Sequence, residues 1–469
     1  MLLKYVYDDR LAQASYFIGC PGGGVAMVID PARDITPYLQ LEKETGLKII
    51  GAAETHIHAD FVSGGRELAA ATGATLYLSA MGEGALAYDF AQVAETGVSV
   101  VYVREGDTLH IGDVRLDVLY TPGHTPEHIS FQVTDTGADS PIGLFTGDCL
   151  FVGDVGRPDL LDATGNAVGT SEGGARQQYE NVQRLKAMPD YLQVWPGHGA
   201  GSACGKALGA VPSTTIGYEK RFNPAFQQPN PEAFVTWLLD GQPEPPRYFA
   251  QMKRVNRVGA DLLHTLHDPA RLGEETLLAA VKEMDALVID TRPADKFAAG
   301  HVRGTLNIPA ANQQFSTWVG WFVDYERPTY LVASQSEITH LLKVLRGIGV
   351  DEILGYFTLD IVEKYQWQIE QIAPETAYQQ QQEGAMILDV RGASEREEIH
   401  IPGSIFIPLG RVTEKMNELP HERTIITQCG SGIRSQIIAS LLEGRGYHVL
   451  NLEGGMEAWQ KAGLPQEQG

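Results

Sequence analysis

The stretch THIHADF, Thr55 to Phe61, places two histidines and an aspartate at alternate positions just past an apolar run, a spacing suited to metal ligation. A metal-binding H-x-H-x-D-H run would close on a third histidine, but its last position here is Phe61. Further along the chain, His124 stands in TPGHT, Asp148 in TGD and His198 in PGHG. Each follows an apolar run and sits in a Gly- or Pro-marked turn, which is how separated segments converge on one ion. A lone histidine is ordinarily a surface or packed residue, whereas this set of placements points to a metal site. A second constellation, TIITQCGSGIRSQIIASLLEG, is a buried strand, the loop Cys429-Gly-Ser-Gly-Ile-Arg434, and an amphipathic helix. A loop curling before a helix points successive N–H groups inward, and the helix dipole adds positive potential, so the site favours an anion or a thiolate. Gly430 and Gly432 permit the curl, while Arg434 and Ser435 open the helix.

Positioning these groups takes layered α/β frames. Up to about residue 205, runs such as ASYFIGC, VAMVID, LKIIGAAETH, TLYLSA, VRLDVLYTPGH and PIGLFTGD end in Gly, Pro, Asp or His. They read as strands that deliver polar residues to loops at one edge of an α/β domain. Pro-rich connections then surround a predicted helix, EAFVTWLLDG, and the first domain is placed at residues 1–260. Beyond it, LVIDTRPADKFAAGHVRGTLNIP (287–309) aligns without gaps on MILDVRGASEREEIHIPGSIFIP (386–408). The alignment pairs Asp290 with Asp389, Arg292 with Arg391, Gly304 with Gly403 and Pro309 with Pro408. It predicts two small α/β modules, 261–370 and 371–469, each with a parallel sheet and functional groups at the carboxyl ends of its strands.

The 469 residues are enough for about three cores. With 36 Lys and Arg against 59 Asp and Glu, the net charge is −23, which repels nucleic acid and anionic membrane. Any anionic substrate needs a local basic patch, and Arg221, Arg247, Lys253, Arg254 and Arg257 supply a candidate. No long apolar run or signal-peptide pattern occurs, so a cytoplasmic protein is expected. The cysteines Cys20, Cys149, Cys204 and Cys429 are widely spaced, which indicates neither a disulfide framework nor a structural zinc site.

In the order THIHAD, TPGHT, TGD, PGHG the chain resembles the metallo-beta-lactamase superfamily over roughly residues 1–210. The resemblance implies an αββα sandwich. Hydrolytic members of glyoxalase II type hold two metals, the second through the Asp and final His of H-x-H-x-D-H and a late His. Phe61 removes one of those ligands. Within the superfamily the sequence looks most like the persulfide dioxygenases, which implies one Fe(II) on His56, His124 and Asp148. Two histidines and a carboxylate leave open positions for a sulfur ligand and dioxygen together. His58, Asp60 and His198 are then expected around that centre or, in the alternative, on a second metal. By the same resemblance Arg157, in FVGDVGRPDL, is placed near the substrate thiol carrier, the alternative being a structural arginine that ties loops together. Cys204 in GHGAGSACGK is placed at the metal edge as a substrate contact or packing residue; Cys149 and Cys20 are read as packing cysteines, though Cys20 is left free to face the same cavity.

Residues 375–465 resemble a rhodanese domain. The six-residue loop from Cys429 to Arg434 is one residue shorter than the loop of cysteine phosphatases of related shape, and the smaller ring suits a persulfide sulfur. In the first repeat YLVASQSEITHLL puts Ser334 at the expected cysteine position, so residues 261–370 read as an inactive rhodanese-like module. Together the parts resemble persulfide dioxygenase-rhodanese fusion enzymes. The resemblance implies oxidation of a glutathione- or coenzyme A-type persulfide by dioxygen to sulfite, with Cys429 forming or using thiosulfate. The rival is a dinuclear zinc thioester hydrolase fused to a sulfurtransferase. A homo-oligomer is expected; the thiol carrier and the direction of sulfur transfer are left open by the residues.

Overall fold

In the computed structural model, which describes residues 1–84, 87–89, 97–160, 170–283 and 286–469, the side-chain alternation of the early strands sets the layers. Along Gln13–Cys20, Ala14, Tyr16, Ile18 and Cys20 point to one face and Phe17 to the other, and every position is buried. A strand with two apolar faces must lie between two layers. It does so in a six-stranded sheet whose order follows the chain: Leu2–Asp8, Gln13–Cys20, Val25–Ile29, Lys48–Ala53, Thr75–Ser79 and Val100–Val103. A second six-stranded sheet runs from Thr108–Ile111 through Val114–Tyr120, Ile129–Thr134, Gly143–Gly147 and Gln193–Pro196 to Thr214–Thr215. Tyr16, Ile18 and Met27 of the first sheet pack with Val118, Phe131, Phe145 and Trp195 of the second. Helices Thr36–Thr45 and Gly65–Thr72 cover the outside of the first sheet through Tyr38, Leu68 and Ala69. Helices Ser171–Lys186 and Pro231–Leu239 cover the second through Val182, Leu185, Phe234 and Leu238. The architecture is an αββα sandwich.

Strand direction decides what reaches the loop edge. Val25–Ile29, Lys48–Ala53 and Thr75–Ser79 are parallel, and Gly143–Gly147 is parallel to Gln193–Pro196. The amide of Ala14 donates to the Gly197 carbonyl at 2.8 Å, which brings the carboxyl ends of both sheets to one edge. Gln13–Cys20 runs antiparallel to Val25–Ile29. Cys20 therefore ends seven residues, about 23 Å, from that edge, so it does not share the cavity. Cys149 is packed among Leu144, Val182 and Val194.

The repeat folds as two five-stranded parallel sheets, of Ala270–Arg271, Leu287–Asp290, Leu306–Asn307, Thr329–Val332 and Ile353–Phe357, and of Glu370–Ile372, Met386–Asp389, Ile405–Phe406, Ile425–Gln428 and Val449–Leu452. Both place their strands in the spatial order first, fifth, fourth, second, third. Asp290 pairs in register with Val332, and Asp389 with Gln428. The residue at the place of Cys429 is thus Ala333, not Ser334 as expected, because the gapless alignment of 287–309 did not extend to the strand before the loop. Ser334 lies one step further, where its amide and hydroxyl bond to Glu337. By packing, the chain divides into Met1–Leu266 with Lys343–Gly349, and His267–Leu342 with Val350–Gly469. Within the latter, helix Ile433–Gly444 links the two sheets: Ser440 Oγ accepts from the Asn307 amide at 3.0 Å, and Arg303 pairs with Glu443 at 2.9 Å. Among the described residues no helix is long and apolar enough to cross a membrane.

Gly455 has φ +57, and a Cβ there would stand 2.3 Å from the Cys429 carbonyl oxygen. The Gly455→Ala variant is expected to destabilise the last module by about 1–2 kcal/mol from backbone conformation alone, and to displace the cysteine loop. Chemical denaturation should show the loss.

Candidate metal centre and cysteine loop

The strand Lys48–Ala53 ends one turn before His56, and the segment is fixed by its own backbone: Asp30 Oδ1 accepts from the Thr55 amide at 2.7 Å and Glu127 Oε1 from the Ile57 amide at 2.8 Å. His124 lies in the turn between Val114–Tyr120 and Ile129–Thr134, and Asp148 follows Gly143–Gly147. His56 Nε2 and His124 Nε2 stand 3.8 and 3.4 Å from Asp148 Oδ2. Their other ring nitrogens are occupied, His124 Nδ1 by the Arg157 carbonyl at 2.8 Å and His56 Nδ1 by Thr55 Oγ1 at 2.9 Å. Thr55 Oγ1 donates to Asp30 at 2.9 Å, so His56 carries its proton on Nδ1 and both Nε2 lone pairs face Asp148.

Burial holds both imidazoles neutral. It pushes His124 down to about 4 against the pull of Asp148, and with the neighbouring imidazoles it holds His56 well below the usual range. Burial disfavours the Asp148 carboxylate too, but the charge and hydrogen bond of His198 outweigh it and keep the carboxyl ionised. His56 Nε2 and Asp148 Oδ2 have no hydrogen-bond partner although fully buried. Converging orphaned lone pairs of this kind are costly unless a cation sits among them, and the donor set fits one metal ion.

His58 is not part of this set. Its Nε2 stands 3.2 Å from Asp30 and 3.3 Å from Glu54. Burial disfavours its imidazolium, but these carboxylates raise it to about 10, and with Asp30 and Glu54 it forms a separate buried group of ligand-type atoms. His198 Nδ1 lies 2.7 Å from Asp148 Oδ1, and its Nε2 is 2.7 Å from Asp60 Oδ2. Against burial, the two carboxylates raise His198 well above the usual range. The contact with Asp60 lacks the alignment of a hydrogen bond, and ligand atoms of Asp60, His198 and Cys204 all lie within 4.8 Å of one another. Phe61, fully buried, packs its ring 4.3 Å from His58 and 6.4 Å from His198.

Arg157 is a loop tie in its geometry. Its guanidinium pairs with Asp159 and donates to the carbonyls of Ala203 at 3.0 Å and Pro243 at 2.6 Å. Burial, with Asp60 and Asp148 nearby, pushes the Cys204 thiol well up. Asp30, Glu54, Glu127, His128 and Asn256 also build the site, none of them singled out in the sequence. His128 Nε2 accepts from the Asp148 amide at 3.0 Å. Asn256 donates to the carbonyls of His58 and Phe61 and accepts from the Ser63 amide. Asp30, at the end of VAMVID, and Glu127 and His128, in TPEHIS, carried a signal as polar residues beside apolar runs; Asn256 carried none.

The cysteine loop sits at the carboxyl end of Ile425–Gln428. Cys429 is buried, and its Sγ accepts from the Gly432 amide at 3.1 Å and contacts Ser435 Oγ at 3.5 Å. Gly432, φ +95, makes the turn into helix Ile433–Gly444, whereas Gly430 needs no left-handed backbone. Arg434 holds Glu395 through two hydrogen bonds of 2.7 Å, and the Cys429 carbonyl accepts from the Met456 amide at 2.7 Å. One backbone amide and a helix start thus stand at the thiol.

The model of the metallo-beta-lactamase superfamily matches residues 8–198, and that of the rhodanese-like domain matches residues 373–462. A metallo-beta-lactamase of Staphylococcus aureus subsp. aureus COL, known as a crystal structure, is 41% identical with a TM-score of 0.67, over 76% of this chain and 99% of that one. A hydroxyacylglutathione hydrolase of Gloeobacter violaceus is 34% identical over 174 residues, 37% of this chain, which spans 58% of the hydrolase's length. The mitochondrial persulfide dioxygenase of Homo sapiens is 26% identical over 200 residues, 42% of this chain and 68% of that protein. The chain belongs to the metallo-beta-lactamase superfamily, whose fold binds metal, and carries a rhodanese-like domain after it.

Proposed function

We propose that this protein is a persulfide dioxygenase joined to a sulfurtransferase: a low-molecular-weight thiol persulfide, dioxygen and water yield the thiol and sulfite. The observation that carries the proposal is that His58 is turned onto Asp30 and Glu54, which leaves His56, His124 and Asp148 as a set of two imidazoles and one carboxylate. A ferrous ion held by such a set supplies open coordination positions and the electron transfer that reaction with dioxygen requires. The chain's own residues do the rest. Thr55 and the Arg157 carbonyl fix the ring orientations, His198 fixes Asp148, and the buried Phe61 excludes water where a further ligand would otherwise stand. Arg157 acts through the loop 203–204 that it ties down.

At the second site the Cys429 thiolate attacks the outer sulfur of a second persulfide, that S–S bond breaks and its thiol leaves, so Cys429 holds the sulfur as its own persulfide within reach of the Gly432 amide and Ser435. Sulfite then attacks the outer sulfur, the S–S bond breaks, thiosulfate leaves, and the thiolate remains on Cys429. The reverse transfer uses the same groups. The module 261–370 has alanine at the cysteine place and a glutamate in its loop, which supports a structural role for it. A cytoplasmic homo-oligomer accords with this proposal.

A second reading, thioester hydrolysis on two zinc ions, is favoured by the higher identity to the hydroxyacylglutathione hydrolase and by the cluster Asp60–His198–Cys204. Metal content and oxygen uptake separate the two. The expected result is about one iron per chain in anaerobically purified protein, with oxygen uptake on adding glutathione persulfide, both lost in His124→Ala. About two zinc ions per chain, cleavage of an acylglutathione and no oxygen uptake would make the hydrolase the better account. In a separate assay, Cys429→Ser is expected to lower thiosulfate:cyanide transfer by about a hundredfold or more while oxygen uptake persists. Ser334→Ala should leave both activities unchanged.

A further inference from the structure

Five basic residues between 221 and 257 were candidates for holding an anionic ligand, and their burial separates them. Arg221, Arg247 and Arg254 are exposed, and Arg257 is paired with Asp89 at 3.2 Å. Lys253 alone is buried, 5% exposed, and its Nζ has no hydrogen-bond partner among the described residues. A buried ammonium without a partner is strongly disfavoured unless an anion completes it. Lys253 lies on helix Tyr248–Val258, and Asn256, one turn further on, binds that helix to the metal loop through the carbonyls of His58 and Phe61. The electrostatic neighbours of the ammonium are Glu127, Cys204 and Asp159, and its charge reaches His124. The nearby carboxylates are engaged elsewhere, Glu127 Oε1 by the Ile57 amide and Asp159 by Arg157.

We infer that Lys253 is the anion-holding residue of the metal cavity and that it pairs with the reacting sulfur group itself, the persulfide anion on entry and the sulfite oxygens on exit. The inference rests on the dioxygenase proposal and adds to it the charge of the group recognised. In a chain of net charge −23, an anion reaching this edge needs a fixed cation, and Arg157, its guanidinium tied to Asp159 and two carbonyls, is not placed to serve. The helix that carries Lys253 is bonded to the metal loop through Asn256, and the charge of the ammonium acts on Cys204 and His124. The carboxylates of a glutathione-type carrier are several bonds removed from its sulfur, so they have no reason to meet this ammonium.

The test uses the full-length, metal-loaded protein and two probes. Calorimetric titration with sulfite counts bound anions, and oxygen uptake is followed with glutathione persulfide and with the persulfide of 2-mercaptoethanol, whose carrier is uncharged. Lys253→Met is expected to bind about one equivalent of sulfite fewer than the parent and to raise KM for both persulfides about tenfold, with kcat and iron content near the parent's. Lys253→Arg should keep the sulfite equivalent, and Lys253→Gln provides the same comparison if the methionine variant does not fold. Unchanged sulfite binding overturns the inference. A KM increase confined to glutathione persulfide also overturns it, because Lys253 would then be reading the carrier. If the parent itself consumes no oxygen, the dioxygenase proposal fails, and the sulfite count alone decides whether Lys253 holds an anion.

Discussion

Burying several imidazoles and carboxylates at one sheet edge is the constraint on which the rest of the first domain depends. A charge without a partner in that position costs several kcal/mol, so each group must be neutral, paired or bound to a cation. The chain solves this by sorting. His58 takes its charge against Asp30 and Glu54, and His198 takes its charge against Asp148 and Asp60. His56 and His124 are left neutral, with their lone pairs turned to the same carboxylate. The two imidazolium pairs and the neutral pair form one arrangement, because Asp148 faces His198 with one oxygen and the ligand set with the other.

The backbone that holds this pattern comes from loops that secondary structure alone would leave free. Each turn is fixed by a buried side chain from another segment: Asp30 and Glu127 on the segment 55–57, His128 on the Asp148 amide, Asn256 on the carbonyls of His58 and Phe61. These are bonds from a side chain to the main chain, and a buried amide left unsatisfied is expensive, so losing one partner would shift a ligand rather than only weaken a contact. The helix Tyr248–Val258 is consequently a working part of the site, although it follows the last metal-edge motif by some fifty residues.

Much of the layout was legible in the sequence because strand ends and turn residues lie close to the groups they present. The histidine- and aspartate-bearing loops, the loop from Cys429 to Arg434 and the repeated modules all announced themselves through apolar runs that stop at Gly, Pro, Asp or His. The separation of His56 from His58 came from the family resemblance and not from the residue pattern alone. His56 and His58 share a motif and differ in which carboxylates meet the ring: Glu54 lies four residues before His58, while Asp30 and Asp148 are brought in by other strands. Arg157 and Lys253 were hidden for the same reason. Whether a cation faces a carboxylate or a carbonyl, or is buried without a partner, is decided by segments distant in sequence.

The internal repeat separates what the module's fold requires from what its cysteine loop adds. Both modules keep the buried pair at the end of the second strand, Asp290 with Arg292 and Asp389 with Arg391, and in each the arginine also reaches a carbonyl eight residues on, of Gly300 or Ile399. Both keep a glycine with positive φ at the matching turn, Gly304 and Gly403. These features close the connection from the second strand to the third. The loop after the fourth strand differs in every respect that matters to a thiolate. One module has Cys429, a left-handed Gly432 and Arg434, and the other has Ala333 and a serine bonded to Glu337, which puts a carboxylate where an anion would have to approach. A fold that survives such a change draws its stability from the sheet and the buried Asp–Arg pair. The cysteine loop is therefore separable from the module's fold, present in one repeat and absent from the other.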